Sequence, residues 1–308
     1  MLVDPNRETA TVLLQTLLYA RQCLRQQSRE LMFIGLDLAL MFVGGLFLGL
    51  TFMDHEFFRY QAPLPKSVYE QCPGELENIC KLPLQDMLPL ITSMCGLVMA
   101  LTGSIASLRI FGAVQVVYYR DRARGSSSLA FFMGRSLAHL PSIFMWPFAF
   151  LVVYYPLAQP SGAYGHYYFV LLIMQFTSAS WGYIISVVVP EKLSYLCAVV
   201  VMLAQMMFSG ANPSLPMIDK SMAWASWMPN FVFLRWGQEA LYITEVQPAI
   251  DADPFAQHRI ERSMMDLHGY STDHFWGDIF GCLMIGIVLR ILAFLALTYM
   301  NLDKQAQV

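Results

Sequence analysis

The chain has 308 residues, 56% of them hydrophobic and only 13% charged, with a net charge of −3. A soluble globular domain carries about 25% charged residues, so a large soluble core is excluded, and a near-neutral balance gives no footing for nucleic acid. The charges cluster between long apolar runs, which is the organisation of an all-α polytopic membrane protein.

The N-terminal segment, residues 1–30, contains Arg7, Arg21, Arg25 and Arg29 and no uninterrupted apolar stretch of the signal-peptide kind. Insertion then falls to the first spanning helix. Within this segment, residues 8–30 predict an amphipathic helix. Leu13, Leu17, Leu24 and Leu31 fall in a narrow wedge at 100° per residue, with Leu14 and Leu18 beside them and Arg21, Arg25 and Arg29 in an adjoining row. Such a helix can lie at the inner membrane interface or pack on a soluble partner domain.

A crossing needs about 20 mostly apolar residues. Residues 31–53, 87–108, 129–155, 164–189, 193–211 and 278–300 meet that test, which predicts six spans. Pro141 and Pro147 lie inside the third and predict kinks there. Arg109, Arg120, Arg122 and Arg124 follow the second span, while the short loop after the third carries no Lys or Arg. By the positive-inside rule the loop 109–128 and both termini are cytoplasmic, and segments 54–86 and 212–277 face outward.

The first outer segment holds Cys72 and Cys80 beside Pro63, Pro65, Pro73 and Gly74. They are a disulfide pair if that side is oxidising, and two free thiols otherwise. The second is long for a structureless loop and dense in aromatics: Trp224, Trp227, Phe231, Phe233, Trp236 and Tyr242. That density predicts short helices dipping back into the outer interface, followed by a polar outer lobe over 247–272.

Two of the charged residues inside predicted spans stand apart, Asp37 in the first and Arg290 near the middle of the sixth. Each costs roughly 2.5–3.5 kcal/mol at a helix centre unless paired or snorkelling. They are expected to face the bundle interior as a pair. His139, His166, His268 and His274 are scattered, with no cluster at metal-ligand or catalytic spacing, so a membrane-bound enzyme gains no support and no metal site is expected.

The segment Tyr118-Tyr119-Arg120-Asp121-Arg122-Ala123-Arg124-Gly125-Ser126 joins two spans with almost no spacer. A positive-inside loop explains its arginines but not the paired tyrosines or the mixed charge at the membrane face. A short charged helix, rigidly joined to two spans, suits the docking of a soluble motor. Residues 111–141, FGAVQVVYYRDRARGSSSLAFFMGRSLAHLP, resemble the membrane domain of ABC-2 type transporters, most closely the G subfamily of white and pleiotropic-drug-resistance type. Tyr118, Arg120, Asp121, Gly125, Ser126 and Leu140-Pro141 hold the places of the family pattern. Ser178-Ala179-Ser180 with Val189-Pro190, then Phe208-Ser209-Gly210, then Trp227 through Glu245 extend the likeness in the family order. The N-terminal amphipathic helix fits the family's connecting helix. Val114 and Gln115 stand where the family usually has an acidic residue, so the ATPase contact made by that residue is not expected here.

The resemblance implies alternating access driven by ATP hydrolysis on a nucleotide-binding domain, transmitted through Tyr118, Arg120, Asp121, Arg122, Arg124, Gly125 and Ser126. It implies two six-span units, as homo- or heterodimer, around a cavity walled by the second and fifth spans. Carried over, that wall is Met94, Leu97, Met99, Leu101 and Thr102 with Met202, Gln205, Met206 and Phe208, a thioether-rich surface suited to lipids, sterols or apolar xenobiotics. The sequence has no Gly-x-x-x-x-Gly-Lys-Ser/Thr phosphate loop. No cofactor is therefore expected on this chain; ATP and Mg belong to the partner domain. The family carries that domain upstream, so the expectation is a fragment, a truncated product or a subunit served by a separate ATPase. The alternative is a non-transporting scaffold or regulatory subunit of the same descent.

Overall fold

The structure, a computed structural model, describes residues 11–53, 88–252, 264–265 and 268–300. Among these residues every regular element is a helix. Five helical stretches are long and apolar enough to cross a membrane: Leu31–Thr51, Leu88–Ala123, Ser128–Ala158, Tyr164–Val188 and Thr272–Tyr299. The molecule is a multi-pass membrane protein.

Helix α1 spans Val12–Arg29 and α2 Leu31–Thr51. Helix α3, Leu88–Phe111, passes through a 3-10 turn at Gly112–Val114 into the short α4, Gln115–Ala123. Helix α5 is Ser128–Ala158 and α6 is Tyr164–Val188. Helix α7, Glu191–Met207, stands where the fifth span is expected but has only 17 residues. At about 1.5 Å per residue it is about 26 Å long, short of a ~30 Å hydrocarbon core. The predicted span ran on to residue 211, but the chain leaves the helix at Phe208 and Gly210 takes a positive φ of 87°. The short α8 is Leu215–Ser221, α9 is Phe233–Ala252 and α10 is Phe275–Tyr299.

Helix α6 is the hub, packing on α3, α5, α7, α9 and α10. Small residues let it approach α3 closely. Ser178 Oγ donates to the Ala100 carbonyl at 2.7 Å. A Cβ on Gly182 would stand 2.7 Å from Ser107 Cβ and closer still to the Ser104 carbonyl. Close small-residue contact of this kind drives helix association where lipid removes the hydrophobic incentive. Across the other flank, Thr177 Oγ1 donates to the Cys282 carbonyl of α10 at 2.9 Å. In α5, Ile143, Trp146, Phe150 and Tyr154 recur at helical spacing and are buried. Pro141, Pro147 and Pro156 all sit inside this one continuous helix.

The aromatic segment between α7 and α10 is ordered by α9. Its buried face carries Phe233, Ala240, Leu241 and Val246, and it packs on α3, α6 and α10. Glu245 accepts from the Ser161 and Gly162 N–H groups at 2.7 and 3.1 Å and from Tyr167 Oη at 2.7 Å, tying α9 to the α5–α6 turn. Glu239 accepts from the Ser271 N–H at 3.3 Å and pairs with Arg235 at 3.4 Å. Burial raises both carboxyls above the ordinary carboxylate range, and those partners counteract it. Trp224, Trp227 and Phe231 are exposed. Cys72 and Cys80, the whole of the segment 54–86 and most of 253–267 lie outside the described residues.

Asp37 and Arg290 do not pair with each other. Asp37 pairs with Arg109 of α3, 11% and 28% exposed respectively, and the Arg109 guanidinium also lies over the Phe33 ring at 5.1 Å. Arg290 donates from Nε to Ser180 Oγ at 3.0 Å and faces the Phe176 ring at 3.8 Å. The reason is geometric. Helix α2 packs on α3 and α5, whereas α10 packs across α6 and α9 on the other flank. Arg109, read in the sequence as a topology signal, is the nearer cation.

Two outcomes follow from this packing. Gly182→Leu lowers the thermal stability of the detergent-solubilised chain by about 1–3 kcal/mol through overpacking. Gly35→Leu leaves it within about 0.5 kcal/mol, because nothing lies within 4 Å of a Cβ there. Asp37→Arg lowers the folded yield in membranes; adding Arg109→Asp restores it and adding Arg290→Asp does not, as read by size-exclusion recovery.

Candidate coupling site and translocation path

The last carbonyls of any α-helix lack intrahelical partners. Three helices, α3, α6 and α10, end on the same side of the molecule, where α4 lies, and a side chain closes each end. Arg135 of α5 donates from Nε to the Ile110 carbonyl of α3 at 2.7 Å. Gln115 of α4 donates from Nε2 to the Ser186 carbonyl of α6 at 2.7 Å. Arg122 of α4 donates from Nη1 to the Thr298 carbonyl of α10 at 2.7 Å. The two arginines also place positive charge at the negative end of a helix dipole.

The segment 115–128 is further knotted to its neighbours. Arg122 Nη1 also donates to Tyr118 Oη at 3.0 Å, and Tyr118 Oη donates to Ser128 Oγ at the start of α5 at 2.9 Å. Tyr118 and Tyr119 are buried, with the Tyr118 ring 5.0 Å from that of Phe131. Gly125 takes a positive φ of 91°, which turns the chain back towards α5. Ser127 caps α5 by accepting from the Ala130 N–H at 3.5 Å.

Helix α1 joins this knot. The Ser127 N–H donates to Gln15 Oε1 at 3.0 Å, and Tyr19 Oη donates to Asp121 Oδ2 at 3.4 Å. Its contact face on α5 is Thr16, Tyr19, Ala20 and Cys23, set so close that a Cβ on Gly134 would stand 2.7 Å from the Thr16 carbonyl oxygen. The leucines face away: Leu13 is 72% exposed, and Leu14, Leu17, Leu18 and Leu24 are exposed with it.

The residues expected to couple therefore divide by position. Tyr118 and Arg122 hold the segment to the bundle. Asp121 and Ser126 are half-buried. Arg120, Arg124 and Gly125 are exposed, joined by Val116. Gln115, noted only as a departure from the acidic residue of the family pattern, closes α6. Arg135 lies inside the apolar run 129–155, and an arginine within a predicted span is itself the sequence signal for such a partner.

The residues expected to wall a cavity also divide. Met99 and Met202 are fully buried in the bundle core. Thr102 Oγ1 contacts Met41 Sδ of α2 at 3.2 Å. Gln205 Oε1 accepts from the Phe233 N–H at 3.1 Å, closing the start of α9. Met94, Leu97, Leu101, Met206 and Phe208 are half-buried, and α3 and α7 pack side by side. On α7 the exposed stripe is Leu193, Leu196, Val200, Leu203 and Met207.

The family model described as ABC-2 type transporter matches residues 92–303. The rice protein ABC transporter G family member 25 (Oryza sativa subsp. japonica) is 26% identical over 123 residues, covering 40% of this chain and 12% of the rice protein. Protein white of Ceratitis capitata is 24% identical over 214 residues, covering 65% of this chain and 31% of that protein. ABC transporter G family member 1 of Dictyostelium discoideum is 22% identical over 219 residues, covering 66% and 27%. The match thus spans less than a third of each of these relatives. A family model reaching from α3 to the end of α10, over the same helices that carry the segment 115–128, places the protein: the chain belongs to the ABC-2 type transporter family.

Proposed function

We propose that this chain is the membrane unit of an ATP-driven exporter of lipids, sterols or apolar xenobiotics, powered by a nucleotide-binding domain with the phosphate loop this sequence lacks. The observation that carries the reading is the closure of three helix ends by Arg135, Gln115 and Arg122. A motor pressing on the exposed Arg120 and Arg124 would push on a segment bonded to α1, α5, α6 and α10 together. Such a segment transmits displacement; a loose loop would absorb it.

In this reading residues 1–30 are the connecting helix, with its exposed leucines in the inner interface or on the ATPase domain, and residues 31–308 are the transport domain. Both termini are cytoplasmic. Helix α7 is the sixth crossing, completed by local thinning of the bilayer, and α8 to α9 form the re-entrant outer segment. A second such unit, identical or related, faces α3 and α7. The cavity wall then draws on Met94, Leu97, Leu101, Met206 and Phe208 and on the exposed stripe of α7. Met99, Met202, Thr102 and Gln205 support that wall from behind.

The test is purification of the tagged chain from its native membranes, with ATPase activity measured in the eluate. The reading predicts a co-eluting ATPase, and at least a tenfold loss of it with Arg120→Glu and Arg124→Glu combined, both exposed positions that leave the fold intact. Arg122→Ala is predicted to retain the ATPase but to lose its stimulation by apolar substrate. An eluate without ATPase from the unmutated chain contradicts the reading and favours the scaffold.

A further inference from the structure

An apolar groove of about 340 Å³ runs along the outside of the bundle between α5 and α10, floored by Phe176 of α6. Met133 and Leu137 form one wall and Ile287 and Ile291 the other, and these four are exposed along the groove. In a membrane protein this face meets acyl chains. Its volume lies at the low end of the ~300–1,000 Å³ range of small-ligand sites, which suits one alkyl chain better than the two chains and large head of a phospholipid.

Two side chains lining the groove carry polar atoms that are buried just beneath its surface without a hydrogen-bond partner, Ser136 Oγ and Arg290 Nη2. Arg290 is a permanent cation with five N–H donors. Its Nε is satisfied by Ser180, its plane rests on Phe176, and the ring and hydroxyl of Tyr183 lie beside it, but among the described residues no carboxylate pairs with it. Charges inside a membrane pair with an opposite charge, bond backbone carbonyls as Arg135 does, or reach water. Arg290 lies eight residues before Thr298, whose carbonyl is held by Arg122, so it is about 12 Å inward of that end at ~1.5 Å per residue. A phospholipid phosphate belongs to the head-group layer outside the ~30 Å hydrocarbon core. A compact carboxylate on a single chain reaches that depth and supplies the missing negative charge.

We propose that the groove between α5 and α10 seats one long-chain fatty acid, its carboxylate on Arg290 and Ser136 and its chain running away from the α4 end along Leu137, Leu140 and Ile287. The seat is separate from the α3–α7 path and does not rest on the transport reading. A failure to find an ATPase partner leaves it standing.

The test uses the chain in phosphatidylcholine nanodiscs, irradiated with palmitic acid bearing a diazirine in its chain. Peptide mass spectrometry is expected to place the label on α5 and α10 beside the groove. The methyl ester of the same probe labels there at least tenfold less. Arg290→Gln cuts the acid's labelling at least tenfold, and Leu137→Trp, which fills the groove without touching the cation, does the same. Equal labelling by acid and ester overturns the proposal on the unmutated chain, whatever the folding of the variants. So does a label mapped elsewhere, or one displaced by cholesterol but not by oleate.

Discussion

Three helices of this protein run in the same direction and deliver their unsatisfied carbonyls to one side of the bundle. In water such ends are solvated at little cost. At a membrane face, beneath other helices, an unpaired carbonyl is expensive. Here Arg135 closes α3, Gln115 closes α6 and Arg122 closes α10. Two of the three donors come from α4, a nine-residue helix. The need to satisfy helix ends has thereby become a mechanical linkage, because α4 cannot shift without breaking bonds to two spans and, through Tyr118 and Ser128, loosening a third.

The rest of the bundle is built to move as pieces, not to yield locally. Close approaches at Gly182 and the Ser178–Ala100 bond fuse α3 to α6, and Thr177 fuses α6 to α10. On the other flank the Asp37–Arg109 pair ties α2 to α3. At the end of the bundle opposite α4, Glu245 binds α9 to the α5–α6 turn. Helix α7 is less engaged: it presents a broad apolar stripe outward and ends early at Phe208. The bundle is thus a block of closely bonded spans with one short neighbour held by fewer polar contacts.

Much of this was legible in the amino-acid sequence. The apolar runs located α2, α3, α5, α6 and α10 to within a few residues, because runs bounded by Pro, Gly and charge have few other solutions. The motif around Tyr118 to Ser126 located α4, since paired aromatics and mixed charge need both a buried and an exposed face. Polar partnerships were not legible. Asp37 was expected to meet Arg290 because both were visibly out of place in apolar runs, whereas Arg109 looked accounted for as a loop charge. Pairing depends on which helices are neighbours, and hydropathy does not order helices around a bundle. Burial was not legible either: Met99 and Met202 share composition with their half-buried neighbours Met94 and Met206 but lie in the core. The early end of α7 was hidden because Phe208 and Ala211 keep the run apolar while Gly210 turns it.

The central claim is that α4 and the end of α10 form one rigid body. Spin labels at Val116→Cys and Tyr299→Cys, both exposed positions, measure it directly by pulsed electron resonance in nanodiscs. The account predicts a single narrow distance distribution that broadens when Arg122→Ala removes the bond to the Thr298 carbonyl. A broad distribution in the parent chain, or a narrow one indifferent to Arg122→Ala, would contradict it.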